Sequence, residues 1–295
     1  TLNETLPKFI VLGGPTRSDT RDSIDSYYLG PSHAGIPLSL EHGNPLPFSK
    51  RQPNHSEDLQ RREFKLVNQL NRLTLADYKD DKQLLARIKS YELAYRMQKS
   101  LPDAVNLAEE TESTHALYGL DNPTTAPAGN KLLAARRLVE RGVRFIQVFP
   151  TPYGRWDAHR DLKKNHTENS AKVDLPVAGL ITDLKQRGLL DETLVVFCTE
   201  FGRTPGLEER GGGATGRDHH PNGFTIFLAG GGTKGGYVHG ATDELGYHAL
   251  GDAHYVTDLH ATVLYSLGLD SPKLDVDGRK RLEIDHGTPI LDVFA

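Results

Sequence analysis

Three short apolar runs constrain the fold of this chain more than any other feature. They are "VRFIQVFP", "ETLVVFCTE" and "GFTIFLAGG", and each is continuous rather than alternating in polarity. Continuous apolar runs are typical of strands that are buried on both faces of a parallel sheet. Helical patterns that stop at Gly142 and Gly188 precede the first two runs. The sequence therefore predicts an α/β fold: a mostly parallel sheet with helices on both faces, in which 145–149, 193–199 and 224–229 are neighbouring strands.

The beginning of the chain differs in composition from the rest. From residue 13 onward it is rich in Gly, Pro, Ser, Asn and Asp, and it lacks helical or strand periodicity. We predict an irregular segment over 1–56, joined to an α/β core domain over 57–295 that carries a helical insertion near 57–125. The chain starts without a methionine and passes quickly into a strand-like run at 9–12. We therefore expect an N-terminal portion of a longer protein to precede it.

One apolar stripe marks a helix within the insertion. Leu84, Ile88, Tyr91 and Tyr95 recur at the spacing i, i+4, i+7 and i+11, which places them on one helical face. Because proline interrupts helical hydrogen bonding, Pro102 is expected to end this helix.

Charge and composition exclude several kinds of binding partner. The chain has 295 residues and a formal net charge of -4, so it has no electrostatic footprint for nucleic acid or for an anionic membrane surface. No apolar run approaches the roughly 18 residues that a membrane-spanning helix requires. One cysteine permits no internal disulfide, and this leaves the redox compartment open. These features predict a globular protein that does not bind nucleic acid and has no membrane span.

Acidic and imidazole side chains follow or precede the predicted strands. Asp157 and His159 come just after the first apolar run, and Glu200 comes just after the second. His219 and His220 precede the third run, behind a glycine-rich loop that could fold them toward the same rim. Ligands of open α/β sheets bind beyond the carboxyl ends of the strands. Mixed carboxylate and imidazole groups there predict a divalent metal site, without distinguishing zinc, calcium and magnesium.

Simpler interpretations exist for several of these residues. An acid and a histidine spaced like Asp157 and His159 occur often by chance, and Glu200 could be an ion-pair partner of Arg203. Cys198 lies within an apolar run, where we expect a buried small hydrophobic residue rather than a nucleophile. We expect the neighbouring Phe201 to be buried for the same reason.

Several segments together carry a family resemblance. "TLVVFCTEFGRTP", "GRDHHPNGFTIFLAGGGTKGGYVHGATDELGY" and "DLHATVLYSLGLD" resemble the hallmark segments of the bacterial family called domain of unknown function 1501, within the alkaline phosphatase and sulfatase superfamily. "ARRLVERGVRFIQVF" and "WDAHRDLKKNH" are similar to it as well. The resemblance implies an alkaline phosphatase-like fold. It also implies export, to the periplasm or the cell surface, because family members usually carry an export signal.

The resemblance also implies roles for individual residues. Asp157 and His159 match the middle acid and histidine metal ligands of the superfamily, and His219 matches the late histidine, with His220 as a second choice. Glu200 matches the acid of the metal-binding motif that follows the strand. Phe201 departs from the pattern, because it replaces the usual histidine or asparagine, and this implies a single or altered metal site.

An early segment resembles another ligand motif of the family. It is "GGPTRSDT", and Thr16 and Asp19 would be its site residues.

Two functional hypotheses follow. In the first, the protein is a metal-dependent hydrolase of phosphate or sulfate esters, acting on a small-molecule or polysaccharide substrate, with Arg203 holding the substrate oxyanion and Glu200 at the reacting centre. The sulfatase signature C-x-P-x-R is absent after Cys198, which disfavours a formylglycine sulfatase.

In the second hypothesis, the protein is a non-catalytic relative that binds carbohydrate or assembles at the cell surface. The absence of an evident nucleophile motivates this alternative, and metal content would discriminate the two.

Overall fold

The computed structural model describes residues 3–14, 24, 26, 29–30, 33–40, 54–208, 215–274 and 286–295. The chain divides into two compact units, Thr1–Tyr153 and Gly154–Ala295. Helices and strands occur in both units, so the protein is an α/β protein. Among the described residues, no helix combines the length and the apolar character needed to cross a membrane.

A three-stranded parallel sheet forms part of the first unit. Its strands are β1 (Phe9–Leu12), β2 (Ile36–Leu38) and β3 (Phe145–Val148), in the order β2-β1-β3. Both pairings of β1 are parallel. Ile10, Val11 and Leu12 in the central strand are fully buried, as expected for a continuous apolar run that is covered on both faces.

Four helices lie between β2 and β3 in the chain. They are α1 (Glu57–Asp77), α2 (Lys82–Ala104), α3 (Glu112–Leu117) and α4 (Ala126–Glu140), with a 3₁₀ turn at Leu107–Glu109. Side-chain oxygens cap three of them: Ser56 accepts from the N–H of Leu59, and Asp81 and Thr111 act in the same way at α2 and α3. Gly142 ends the last helix with a φ of 81°, a left-handed conformation that favours glycine, as predicted.

The buried residues of α2 match the predicted stripe only in part, because Ile88 is buried and Leu84 and Tyr95 are half-buried. Met97, Leu101 and Ala104 lie in the core with the strands and α4, whereas Tyr91 is 58% exposed. These three residues also follow helical spacing, and the packing partners decide which apolar face is covered. Pro102 lies within the last turn, and the helix ends two residues later, at Ala104.

A buried charge cluster links α4 to the segment before α3. Arg136 is 1% exposed, and its guanidinium lies 2.7 Å from the Glu110 carboxylate and 2.7 Å from that of Glu140. Arg137 also pairs with Glu110. Burial alone would raise the pKa of Glu110, but hydrogen bonds and positive charge from the two arginines lower it below its ordinary value. The carboxylate therefore stays ionised inside the first unit.

The second unit contains short antiparallel ladders and two long helices. The helices are α5 (Leu162–Gln186) and α6 (Val256–Ser266), and 3₁₀ turns lie at Leu190–Glu192, Ser271–Lys273 and Leu291–Val293. The strands are β4 (Val195–Phe197), β5 (Gly202–Arg203), β6 (His219–His220), β7 (Phe227–Ala229), β8 (Ala241–Thr242) and β9 (Ala249–Leu250). They pair as β4-β7, β5-β6 and β8-β9, and all three pairings are antiparallel.

The prediction that 145–149, 193–199 and 224–229 lie side by side in one mainly parallel sheet is wrong. β3 pairs with β1, whereas β4 pairs with β7 in the antiparallel direction. A parallel connection needs a crossover of a dozen or more residues, usually a helix. In the described part of the segment between β4 and β7 there is no helix, only the ladder of β5 and β6. Apolar runs thus located the strands but not their partners or directions.

Candidate metal centre

A ladder of two residue pairs sets the geometry of the candidate site. β5 and β6 pair in the register Gly202 with His220 and Arg203 with His219. Directly opposite residues of an antiparallel pair project on the same face of the ladder, so Arg203 and His219 lie side by side. Gly202 is required in this ladder, because a Cβ atom there would overlap the carbonyl oxygen of Gly223.

Asp157 lies at the centre of the cluster. Its Oδ1 atom is 3.0 Å from Nε2 of His159 and 3.0 Å from Nε2 of His219. Nη2 of Arg203 donates a hydrogen bond to the same oxygen. Tetrahedral ligands of one zinc ion lie about 3.4 Å apart, so one carboxylate and two imidazoles are already close to the spacing of a metal site. The structure thereby brings together three of the predicted metal ligands and the predicted anion-binding arginine.

The electrostatics of Asp157 suit a ligand role. Burial alone would raise the pKa of the Asp157 carboxyl group, but hydrogen bonds from Arg203 and His219, together with the charges of Arg203 and His159, lower it below its ordinary value. The side chain is 46% exposed and that of His219 is 48% exposed, so solvent reaches both. Asp157 is therefore ionised at neutral pH and accessible from solution.

A second carboxylate orients His159. Nδ1 of His159 lies 2.5 Å from Oε2 of Glu208, which is buried. Because an ionised carboxylate only accepts hydrogen bonds, Nδ1 donates to Glu208, and Nε2 faces Asp157, where its lone pair can bind a metal ion once no proton occupies it. Metal-binding histidines commonly donate their second ring N–H to a carboxylate in this way. Sequence reasoning missed Glu208, which follows a Pro-Gly pair without any periodic pattern.

His159 also belongs to an alternative group of donors. His159, Glu208 and Asp218 each offer one atom within 4.8 Å of the others, as do Asp157, His159 and His219. The group with Asp157 and His219 uses Nε2 of His159 and leaves the hydrogen bond from Nδ1 to Glu208 intact. The structure therefore favours that group as the metal centre.

The loop that carries Asp157 and His159 is held from two sides. The buried Asn169 of α5 donates from Nδ2 to the carbonyl of Arg155 at 2.7 Å. The backbone N–H of Arg217 donates to the carbonyl of Ala158 at 3.2 Å. These contacts fix the backbone on both sides of the ligands, which is the condition for a preorganised site.

Two predicted ligands lie outside both groups. Glu200 is exposed and belongs to neither group of donors found among the described residues. His220 is buried, and its Nε2 lies 2.5 Å from the carbonyl oxygen of Tyr247. Of the tandem histidines, it is therefore His219 that faces Asp157. Thr16 and Asp19 lie outside the described residues.

The prediction that Cys198 is buried is wrong, because the residue is exposed. β4 ends at Phe197, and this strand belongs to a two-stranded sheet whose own residues are half-buried or exposed. Phe201 is half-buried rather than buried. Its ring centroid lies 4.5 Å from that of His219, so it forms one wall beside the candidate ligand.

Comparison with known proteins identifies the family. No curated protein and no solved structure matches the chain. The sequence model of the family described as "Protein of unknown function (DUF1501)" matches residues 1–294. The donor cluster at Asp157 thus lies within the matched region, and the chain belongs to the DUF1501 family.

Proposed function

We propose that Asp157, His159 and His219 bind one divalent metal ion and that the protein uses it to hydrolyse phosphate or sulfate esters. The observation that carries the proposal is the position of Asp157 Oδ1, 3.0 Å from two imidazole Nε2 atoms and hydrogen-bonded to Arg203. The proposal includes the likeness to the alkaline phosphatase and sulfatase superfamily and an exported location.

The donor set fits the metals that such chemistry uses. One carboxylate oxygen and two imidazole nitrogens suit zinc and other borderline divalent ions. When bound, such an ion polarises the ester oxygen and lowers the pKa of a coordinated water. Three protein ligands also leave a position for water or substrate.

The guanidinium of Arg203 is the group that we propose binds the substrate anion. Its side chain is 18% exposed, and Nη1 is held by the carbonyl of Arg217 at 3.1 Å. Nη2 donates to Asp157. With Asp157 engaged as a metal ligand, Nη2 can turn to an ester oxyanion while Nη1 keeps the guanidinium in place. A planar guanidinium suits the oxygens of phosphate and sulfate groups. Glu200 is proposed as an acid-base residue of the same reaction.

A metal-reconstitution experiment tests this function. The protein is stripped with a chelator, and zinc, magnesium, calcium or manganese is restored before hydrolysis of 4-nitrophenyl phosphate and 4-nitrophenyl sulfate is measured. We expect activity to return with one of the metals. His219→Ala should lower metal occupancy at the Asp157 centre by ~10-fold or more, by analogy with the losses seen for groups that support metal sites.

Matched variants separate the outcomes. His260→Ala removes an exposed histidine and should behave like the wild type. Arg203→Lys should keep the metal but lose most of the activity, because one ammonium group cannot hold the Arg217 carbonyl and the substrate anion in the fixed geometry of a planar guanidinium. Metal binding at Asp157 without hydrolysis of either ester would overturn the hydrolase and favour a non-catalytic role in carbohydrate binding or assembly. An unchanged metal content in His219→Ala would overturn the metal centre itself.

A further inference from the structure

A second pair of histidines lies in the C-terminal unit, and it shares no residue with the cluster at Asp157. Nε2 of His239 is 2.8 Å from Nε2 of His254. The two rings are nearly parallel, with centroids 5.0 Å apart and an interplanar angle of 28°. His239 lies two residues before β8, and His254 lies two residues before α6, so two separate loops bring the rings together.

Asp258 fixes the position of His254. The carboxylate of Asp258 accepts a hydrogen bond from the N–H of Thr288 at 2.7 Å and another from the N–H of Tyr255 at 3.0 Å. Nδ1 of His254 lies 3.3 Å from the same carboxylate. Burial alone would raise the pKa of Asp258, but these hydrogen bonds lower it below its ordinary value. An ionised carboxylate is therefore held beside the His254 ring.

The carboxylate also determines which ring nitrogen of His254 is free to bind. Because the ionised Asp258 only accepts, Nδ1 of His254 is the donor of their hydrogen bond. In the neutral ring the lone pair then lies on Nε2, directed at His239. This is the carboxylate–histidine arrangement that supports metal-binding imidazoles. It repeats, with different residues, the relationship between Glu208 and His159.

We propose that His239 and His254 bind a second metal ion, of the transition-metal class that prefers imidazole nitrogen, with solvent completing its coordination. Two nitrogens bound to one ion at about 2.0–2.1 Å lie roughly 2.9–3.4 Å apart for angles between square-planar and tetrahedral. With Nε2 atoms 2.8 Å apart and ring centroids 5.0 Å apart, the rings meet almost end to end, so the His239 ring must turn before both lone pairs converge on one ion. The negative charge of Asp258 offsets part of the charge that the ion brings.

Zinc titration of the chelator-stripped protein tests this site. Isothermal calorimetry of the His219→Ala variant, in which the centre at Asp157 is weakened, should still show one zinc ion per chain. Adding His239→Ala or His254→Ala should reduce that affinity ~10-fold or more, whereas adding His260→Ala should not change it.

The outcomes distinguish this site from the proposed hydrolytic centre. Loss of the first ion with retention of the second supports the inference even if no ester is hydrolysed. If His219→Ala binds zinc equally well with and without His239→Ala, the proposed second site is overturned. The two rings would then be joined only by a hydrogen bond. His239 is half-buried and lies in a loop before Gly240, so its replacement should leave the fold intact, which circular dichroism checks.

Discussion

Gly216 packs directly against the backbone of His159. A Cβ atom at Gly216 would overlap the carbonyl group of His159 and crowd the N–H of Arg160. Gly216 also accepts a hydrogen bond from the N–H of Glu208 at 3.0 Å. The absence of a side chain at this glycine therefore lets the loop of His159 and the chain near Glu208 approach each other.

Gly216→Ala should therefore disturb the metal centre. Overpacking of this kind costs about 1–3 kcal/mol of stability, and it should displace His159 enough to lower metal affinity by ~10-fold. Calorimetric zinc titration and urea unfolding measure the two effects. Gly235→Ala is the matched control, since a Cβ atom there meets nothing within 4 Å. Wild-type zinc affinity in Gly216→Ala would show that the contact does not position His159.

Glu208→Gln should weaken metal binding without removing a ligand. The substitution keeps an acceptor for Nδ1 of His159 but removes the negative charge that supports the imidazole. Loss of such a supporting group typically costs 10- to 100-fold in affinity, which competition with a chromogenic chelator can measure. Glu244→Gln, at an exposed position, serves as the control. Equal affinities of the two variants would contradict the role of Glu208.

Cys198 should react with thiol reagents in the native protein, because it is exposed and is the one cysteine of the chain. Desolvation raises the pKa of its thiol, and the charge of Glu200 raises it further. Labelling should thus be slow at pH 7 and accelerate toward and beyond pH 9, since the thiolate is the reactive form.

Glu200→Gln should increase the labelling rate of Cys198 at pH 8 by about 1.5- to 5-fold, the range expected for an exposed charge interaction. Glu192→Gln should not change the labelling rate. The rate at which a chromogenic disulfide reagent labels Cys198 can be compared between the two variants. A native protein that resists labelling until it is unfolded would refute the exposure of this thiol.

Glu110→Ala should strongly destabilise the first unit. It leaves the buried guanidinium of Arg136 without one of its carboxylates, and breaking a buried pair costs about 3–5 kcal/mol. Glu109→Ala is the control: that side chain is 58% exposed and lies 3.3 Å from Arg137, so its loss should cost about 1 kcal/mol or less. Urea unfolding would measure both, and similar costs would contradict the prediction.

The contribution of Glu110 should also depend on pH in a defined direction. Its pKa is lower in the folded state than its ordinary value of 4.5. The folded state therefore binds the proton less readily than the unfolded state does. The stabilisation is complete above the ordinary pKa and is lost as the pH falls through the folded pKa. The stability difference between the wild type and Glu110→Gln should accordingly shrink below about pH 4.5.

Sequence patterns predicted the helices better than the sheets. Gly142 and Gly188 end helices as expected, with φ of 81° and 69°, because a local signal specifies a helix end. The pairing of β4 with β7 could not be predicted in the same way. Strand direction depends on how the connection folds, and that information is not local.

The candidate site was predicted in part for the same reason. Asp157, His159 and His219 were found from their positions beside apolar runs, where local sequence indicates a strand end. Glu208 was missed because its role depends on a contact with His159, 49 positions away in the chain. Glu200, which has an equally suitable position in the sequence, belongs to neither donor group of the described structure.

Because β6 consists of two consecutive histidines, two different strand registers could each supply a histidine to the site. A slip by one residue would place His220 opposite Arg203 and turn His219 to the other face of the ladder. Either register would place a histidine beside Arg203, so side-chain chemistry alone would scarcely distinguish the two registers. The choice is made by neighbours that bind no metal: Gly202 fits beneath the Gly223 carbonyl, and the Tyr247 carbonyl holds the His220 ring. Backbone contacts thus set the register of β6. Gly202 and Tyr247 thereby determine which histidine faces Asp157, although neither residue takes part in the chemistry.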